Sequence, residues 1–276
     1  MQQHLLLVDE TFDLNFTQEY HLSIQFSLDG FSFCIRDGLQ NKYVYLFHKE
    51  FSGTPKFLHR KLADIYAEFD VLTANFKTTQ LVYSSPDKMQ LIPEAFFSGM
   101  EAQANYQLNH KLEEDEELSY LPVKSYQSLV QFAIVEKVKR FFEENHPGTM
   151  IQHEFVNVLN RYAGKTGKNT LLDIQIYKNQ FILSVLDQRI HFCNSFAYRN
   201  DNDLLYFILN VAQRFPEQEL AVHVNGRINK RAPIYHHLRQ YFKYVSIQSR
   251  NHNVAYSYLF DQLPDARFVN LFNTQS

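Results

Sequence analysis

One stretch of this sequence returns 150 residues later. Ser23–Gly38, SIQFSLDGFSFCIRDG, lies on Asp173–Gln188, DIQIYKNQFILSVLDQ, without a gap, and Ile24/Ile174, Gln25/Gln175, Phe31/Phe181 and Asp37/Asp187 are identical. Four identities in sixteen carry little weight alone. The order of elements around the match repeats too, and a repeat of that length constrains the fold more than any short motif. In the first copy, HLSIQFSLDGFSFCIRDGLQNKYVYLFHKEF alternates ring and polar residues and places DG twice at turn positions, which predicts three antiparallel strands joined by tight hairpins. A helix follows on the spacing of Phe57, Leu62, Ile65, Tyr66 and Phe69, opened by Pro55, and TTQLVYSS then reads as a strand. In the second copy, NTLLDIQIYKNQFILSVLDQRIHFCNSFAY predicts three strands, DNDLLYFILNVAQRF a capped helix and ELAVHVNG a strand.

A chain of 276 residues has room for two such lobes. The predicted division is a first lobe over 1–150, enlarged by an insertion at about 86–125, and a second over 151–276. The insertion holds LIPEAFFSG, a helix in MEAQANYQLNH and an acidic run, EEDEE, read as a solvated face. Beyond it come a strand in LVQFAI, a helix in EKVKRFFEENH stopped by HPG, and a helix in EFVNVLNRYA. The 25 Phe and 17 Tyr predict cores packed with rings.

A net charge of −3 gives no global attraction to nucleic acid or to an anionic membrane. The opening MQQHLLLVDETFDL is not a signal peptide, and no apolar run approaches a membrane span, so a cytoplasmic location without membrane insertion is expected. Cys34 and Cys193 sit in strand-like runs and read as reduced, buried thiols.

With LVYSS, KMQLIP and MEAQANYQL following the first meander, and LVQFAIVEKVKRFFEENH preceding the second, the chain resembles actin-like ATPases of the ribonuclease-H-like fold. Its layout is similar to pilus-assembly and division proteins of that superfamily and to an uncharacterised bacterial family assigned to it. The resemblance implies an α/β chain with a duplicated ribonuclease-H-like core, two lobes and a small insertion in the first. It also implies that ATP and magnesium would lie between the lobes, against hairpins that offer an Asp, an apolar residue and a Gly. Glycine is needed there because a Cβ would stand where the phosphate lies.

This chain departs from that pattern. The first hairpin has Ser23, Ile24 and Gln25, and the second has Asp173, Ile174 and Gln175. One Asp of the two is kept and neither Gly; the tips, SLDG and YKNQ, offer only Gly30. The family's Gly pair near the nucleoside is missing as well, since no glycine follows Gly226. Asp173 could hold a magnesium ion or act as a turn residue, and Asp29 is the substitute acid if the register slips. Lys178 and Asn179 at the second tip add bulk where phosphate would lie.

Other motifs are weaker. GKTGK at Gly164–Lys168 lacks the P-loop's first glycine, its place being taken by Leu159, and reads as a basic turn. His236, His237 and His252 have no metal-ligand spacing, and no metal site is expected. Arg227, Lys230, Arg231, Arg239 and Lys243 interleave with Tyr235, Tyr241 and Phe242. That pattern is either a track for single-stranded nucleic acid or an amphipathic helix with its rings in the core. The leading expectation is an interaction scaffold with worn-out nucleotide hairpins, no cofactor and a protein partner. An ATP-binding switch using Asp173, and a nucleic-acid module at 227–243, are the alternatives.

Overall fold

The computed structural model describes residues 4–27, 29–51, 57–164 and 170–273. In chain order the strands and helices are β1 (His4–Val8), β2 (Tyr20–Ser27), β3 (Gly30–Asp37), β4 (Lys42–Glu50), α1 (Leu58–Glu68) and β5 (Thr78–Ser84). An excursion follows: β6 (Met89–Pro93), α2 (Ala102–Gln107), β7 (Glu116–Val123) and β8 (Ser128–Val135). Then come α3 (Glu136–Asn145), β9 (Ile151–His153), α4 (Glu154–Tyr162), β10 (Thr170–Ile176), β11 (Gln180–Leu186), β12 (Ile190–Ala197), α5 (Asp201–Ala212), β13 (Leu220–Gly226), α6 (Pro233–Tyr241) and β14 (Tyr244–Ile247). The chain closes with β15 (Ala255–Tyr256) and α7 (Val269–Phe272).

Two sheets share one topology. The first runs β4-β3-β2-β5-β9, with β1 and β15 added on β4; the second runs β12-β11-β10-β13-β14. In each, a three-stranded antiparallel meander is extended by two parallel strands reached through helices. The 150-residue offset holds at the level of hydrogen bonds: Ile24 faces Phe33 as Ile174 faces Leu183. Even the irregularity recurs, with a bulge between Ile35 and Arg36 and another between Val185 and Leu186. A bulge re-aims a strand and is kept for geometric reasons, so its return at the same offset supports duplication more strongly than the four identities.

The local causes are ordinary ones. Leu58, Leu62, Ile65 and Tyr66 form the buried stripe of α1. The Asn200 side chain caps α5 by accepting from the backbone N–H groups of Asn202 and Asp203. Strand β10 has neighbours on both edges and is buried along its whole length. Strand β12 is an edge, and its residues are half-buried or exposed. For that reason the expected burial holds for Cys34 but not for Cys193, which is only half-buried; both thiols are free.

Between β5 and α3 the small sheet β6-β8-β7 stands apart from both main sheets. The insertion therefore takes in β8, beyond the expected end near residue 125. Its helix is shorter than MEAQANYQLNH suggested, and Glu116 and Glu117 of the acidic run begin β7. The first lobe also draws on chain from beyond residue 150, since β9 pairs with β5, β15 pairs with β4, and Phe260, Leu271 and Phe272 pack with Leu7, Cys34, Tyr43 and Leu46. Pro55 and the end of the GKTGK run lie outside the described residues. Among those residues no helix is long and apolar enough to cross a membrane.

Candidate functional site: the cleft between the lobes

The two hairpins, with α4 and α7, enclose a cleft of about 300 Å³. Gln25, Ser27, Asp29 and Gly30 contribute from the first lobe, Gln175, Lys178, Asn179 and Gln180 from the second, with Glu154 and Asn270 at the helix ends. The sequence reading thus brings Gln25, Gln175, Asp29, Lys178 and Asn179 to one place. It missed Glu154 and Asn270, which join them.

Those two residues complete a relay that crosses the base of the cleft. The Gln25 amide donates to Glu154 Oε2 at 3.2 Å. Asn270 Nδ2 donates to the other oxygen of Glu154, and also contacts Gln175 Oε1 at 3.3 Å. Gln175 Nε2 donates to Asp173 Oδ2 at 2.8 Å, while Asp173 Oδ1 accepts from the Tyr162 hydroxyl at 2.5 Å and from Asn225 Nδ2 at 3.0 Å. Arg161 Nη2 donates to Asn270 Oδ1 at 2.6 Å and so fixes which way that amide points. Glu154 and Arg161 are seven residues apart on α4, two helical turns, so both reach Asn270 from one face.

Local structure places α4 for this. The His153 ring caps the helix, its Nδ1 accepting from the Phe155 N–H at 3.2 Å. That leaves Nε2 as the protonated nitrogen, facing Ser85 Oγ at 3.1 Å. Burial lowers the His153 pKa to about 3, which keeps the ring neutral in the fold. Asp173, Gln175 and Glu154 are all but inaccessible to solvent. Burial raises the carboxyl pKa of Glu154 and of Asp173 despite the hydrogen bonds each accepts, and it carries the Tyr162 hydroxyl well above its ordinary value.

The residues at the hairpins spend their polar atoms on one another. Both oxygens of Asp173 are taken by protein donors, beneath the Gln175 side chain. The described residues contain no group of three potential metal ligands. Gln175 is turned inward to the relay, and Lys178 and Asn179 stand exposed at the hairpin tip. On the cleft wall, Phe268 takes a left-handed backbone with φ 65°. A glycine would adopt that conformation without strain. The cleft does keep one buried acceptor, Gln180 Oε1, that has no hydrogen-bond partner among the described residues.

At the mouth, Arg227 pairs with Glu50 across the lobes. Lys243 pairs with Glu219 at 2.9 Å and lies over Tyr244, whereas Lys230, Arg231 and Arg239 are exposed. On α6 the fully buried residues are Ile234 and Leu238; of the three rings expected in the core, Tyr235 and Phe242 pack against it half-buried, and Tyr241 is 59% exposed.

Residues 9–245 match the model of a family described as protein of unknown function (DUF3822). The chain belongs to that family. Among solved structures, this DUF3822 chain is similar to a Bacteroides thetaiotaomicron protein with actin-like ATPase fold and unknown function: 22% identity, TM-score 0.76, over 86% of this chain and 94% of the other. It is also similar to a chain of the PilM–PilN type IV pilus biogenesis complex, with 10% identity and TM-score 0.56 over 92% and 96% of the two chains. The fold is therefore the actin-like ATPase fold. No match was found among curated proteins.

Proposed function

We propose that this protein is a nucleotide-independent interaction scaffold, an actin-like fold whose lobes are held by their own side chains where relatives of this fold hold ATP. The observation that carries the reading is the relay from Gln25 through Glu154, Asn270 and Gln175 to Asp173. Two positions where the hairpins would need glycine hold glutamines instead, and both glutamines serve to link the lobes. Opening the site for phosphate would strip partners from several buried polar groups, each at about 1–3 kcal/mol. The solved relative named for its complex with PilN offers a precedent for this fold joined to a protein partner.

Isothermal titration calorimetry with ATP and magnesium, paired with a phosphate-release assay, tests the reading. Neither heat of binding nor turnover is expected. Micromolar magnesium-dependent binding with turnover would overturn it in favour of an ATP-driven switch.

A further inference from the structure

We infer that the inserted sheet carries a docking surface for a basic amphipathic helix of a partner protein. The inference rests on the scaffold reading and names the surface that scaffold would use. The three most exposed large apolar side chains of the described chain are Met100 at 98%, Leu108 at 80% and Phe96 at 77%. All three fall within thirteen residues of the insertion. An apolar cluster open to water at this density marks an interaction site more often than chance exposure.

The geometry of α2 sets the apolar residues outward. Its inner face is satisfied: Ala102 and Tyr106 are buried, the Ala102 carbonyl accepts from Gln131 Nε2 at 2.9 Å, and the Tyr106 hydroxyl donates to the Lys88 carbonyl at 3.0 Å. Ala104 lies on the opposite side, about 200° round the helix from Ala102, Leu108 follows as its C-cap, and Met100 lies in the turn before it. The exposed apolar side chains Met100 and Leu108 therefore flank α2 at its two ends, with Ala104 between them, and nothing among the described residues covers them.

Charge selects the occupant. Residues 86–125 contain eight acidic residues and three lysines, a net −5 against −3 for the whole chain. Glu113, Glu116 and Glu117 are matched by Lys111, Lys88 and Lys139. Glu94, Glu101, Glu114 and Asp115 are exposed and form no ion pair among the described residues. Exposed apolar side chains interleaved with unmatched carboxylates, as Glu94 and Glu101 are with Phe96 and Met100, favour an apolar face flanked by Lys or Arg and repel an acidic one.

The test uses the full chain and two fluorescent 18-residue amphipathic helical peptides, identical on their leucine face and bearing either lysine or glutamate opposite. The lysine peptide is expected to bind with a Kd of roughly 1–50 µM, and the glutamate peptide at least about tenfold more weakly. Met100→Ser with Leu108→Ser, and separately Glu94→Gln with Glu101→Gln, should each weaken binding about tenfold. Both pairs are exposed, so folding is preserved and circular dichroism checks it. Equal binding of the two peptides, binding unchanged in both double variants, or no binding of the lysine peptide overturns the proposal. Sedimentation as a dimer that the Met100/Leu108 variant dissolves also overturns it, by assigning the exposed apolar side chains to a second copy of this chain. ATP turnover in the cleft would fell the scaffold reading without moving the peptide result, so the two failures are distinguishable.

Discussion

Replacing Asp173 by alanine separates a structural relay from a worn magnesium site. In the fold, its carboxylate accepts from Tyr162, Gln175 and Asn225, all of them buried. Alanine leaves three buried polar groups without that acceptor, a gross cost of about 3–9 kcal/mol at 1–3 kcal/mol each. Relief from burying the carboxylate offsets part of it, leaving about 3–5 kcal/mol, in line with breaking other buried polar networks. For a chain of this length the unfolding entropy near the midpoint is about 0.6 kcal/mol/K, so Tm should fall by roughly 5–9 °C. Asparagine keeps the shape and one acceptor oxygen and should cost about 1 kcal/mol. Far-UV circular dichroism melts of the three proteins, followed by calorimetry with ATP and magnesium, give both readouts. If Asp173→Ala melts within about 1 °C of the parent while abolishing nucleotide binding that the parent shows, the relay argument is wrong and Asp173 belongs to a ligand site.

Three further outcomes are expected. Burial lowers His48 and His146 to about 4 and His153 to about 3, below the ordinary 6.5, so the fold holds them neutral. Their contribution to stability is complete above pH 6.5 and is lost as pH falls towards 4, at up to about 1.4 kcal/mol per pH unit for each ring. Urea titrations between pH 7.5 and 5 should show this loss, and His146→Gln should flatten it; an unchanged slope in that variant would refute the assignment. At Gly226, φ is 86° and a Cβ would lie 2.2 Å from the Ile176 carbonyl oxygen, so Gly226→Ala should cost about 2–4 kcal/mol. Gly99→Ala, with no atom within 4 Å of its added Cβ, serves as the neutral control, and equal melting of the two variants would contradict the geometry. Finally, burial raises both cysteine pKa values, that of Cys193 to about 12 because the half-buried residue still packs against the apolar core. A thiol reagent at pH 8 should therefore modify neither quickly and Cys34 last, as mass spectrometry would show.

The sequence made the meanders legible because strand alternation and turn residues are local signals. Even the offset of 150 read from Ile24 and Ile174 proved to be the hydrogen-bond register. The composition of the cleft was half legible: Gln25, Gln175 and Asp173 were marked by where glycine and aspartate would be needed. Glu154 and Asn270 were not, because they meet across 116 residues of chain and no spacing rule links the first residue of one helix to a short helix near the other end. Cys193 illustrates a different limit. Its run IHFCN resembles FSFCI, but β3 lies between two strands and β12 is an edge, a distinction that only sheet order provides.

The placement of β15 and α7 bears on how the chain acquires its structure during synthesis. The second sheet is built from one continuous stretch, residues 170–247, and can form as soon as that stretch is free. The first sheet, although most of it is made earlier, must wait for residues 255–272 before β4 gains β15 and before Phe260, Leu271 and Phe272 cover Cys34 and Leu46. Contacts of such long sequence separation form late, and the surfaces they cover stay open meanwhile. The later-encoded lobe thus has the simpler route to completion. Until its last segment docks, the earlier one presents an apolar flank on which a chaperone could act, with the Cys34 thiol as a built-in marker of that interval.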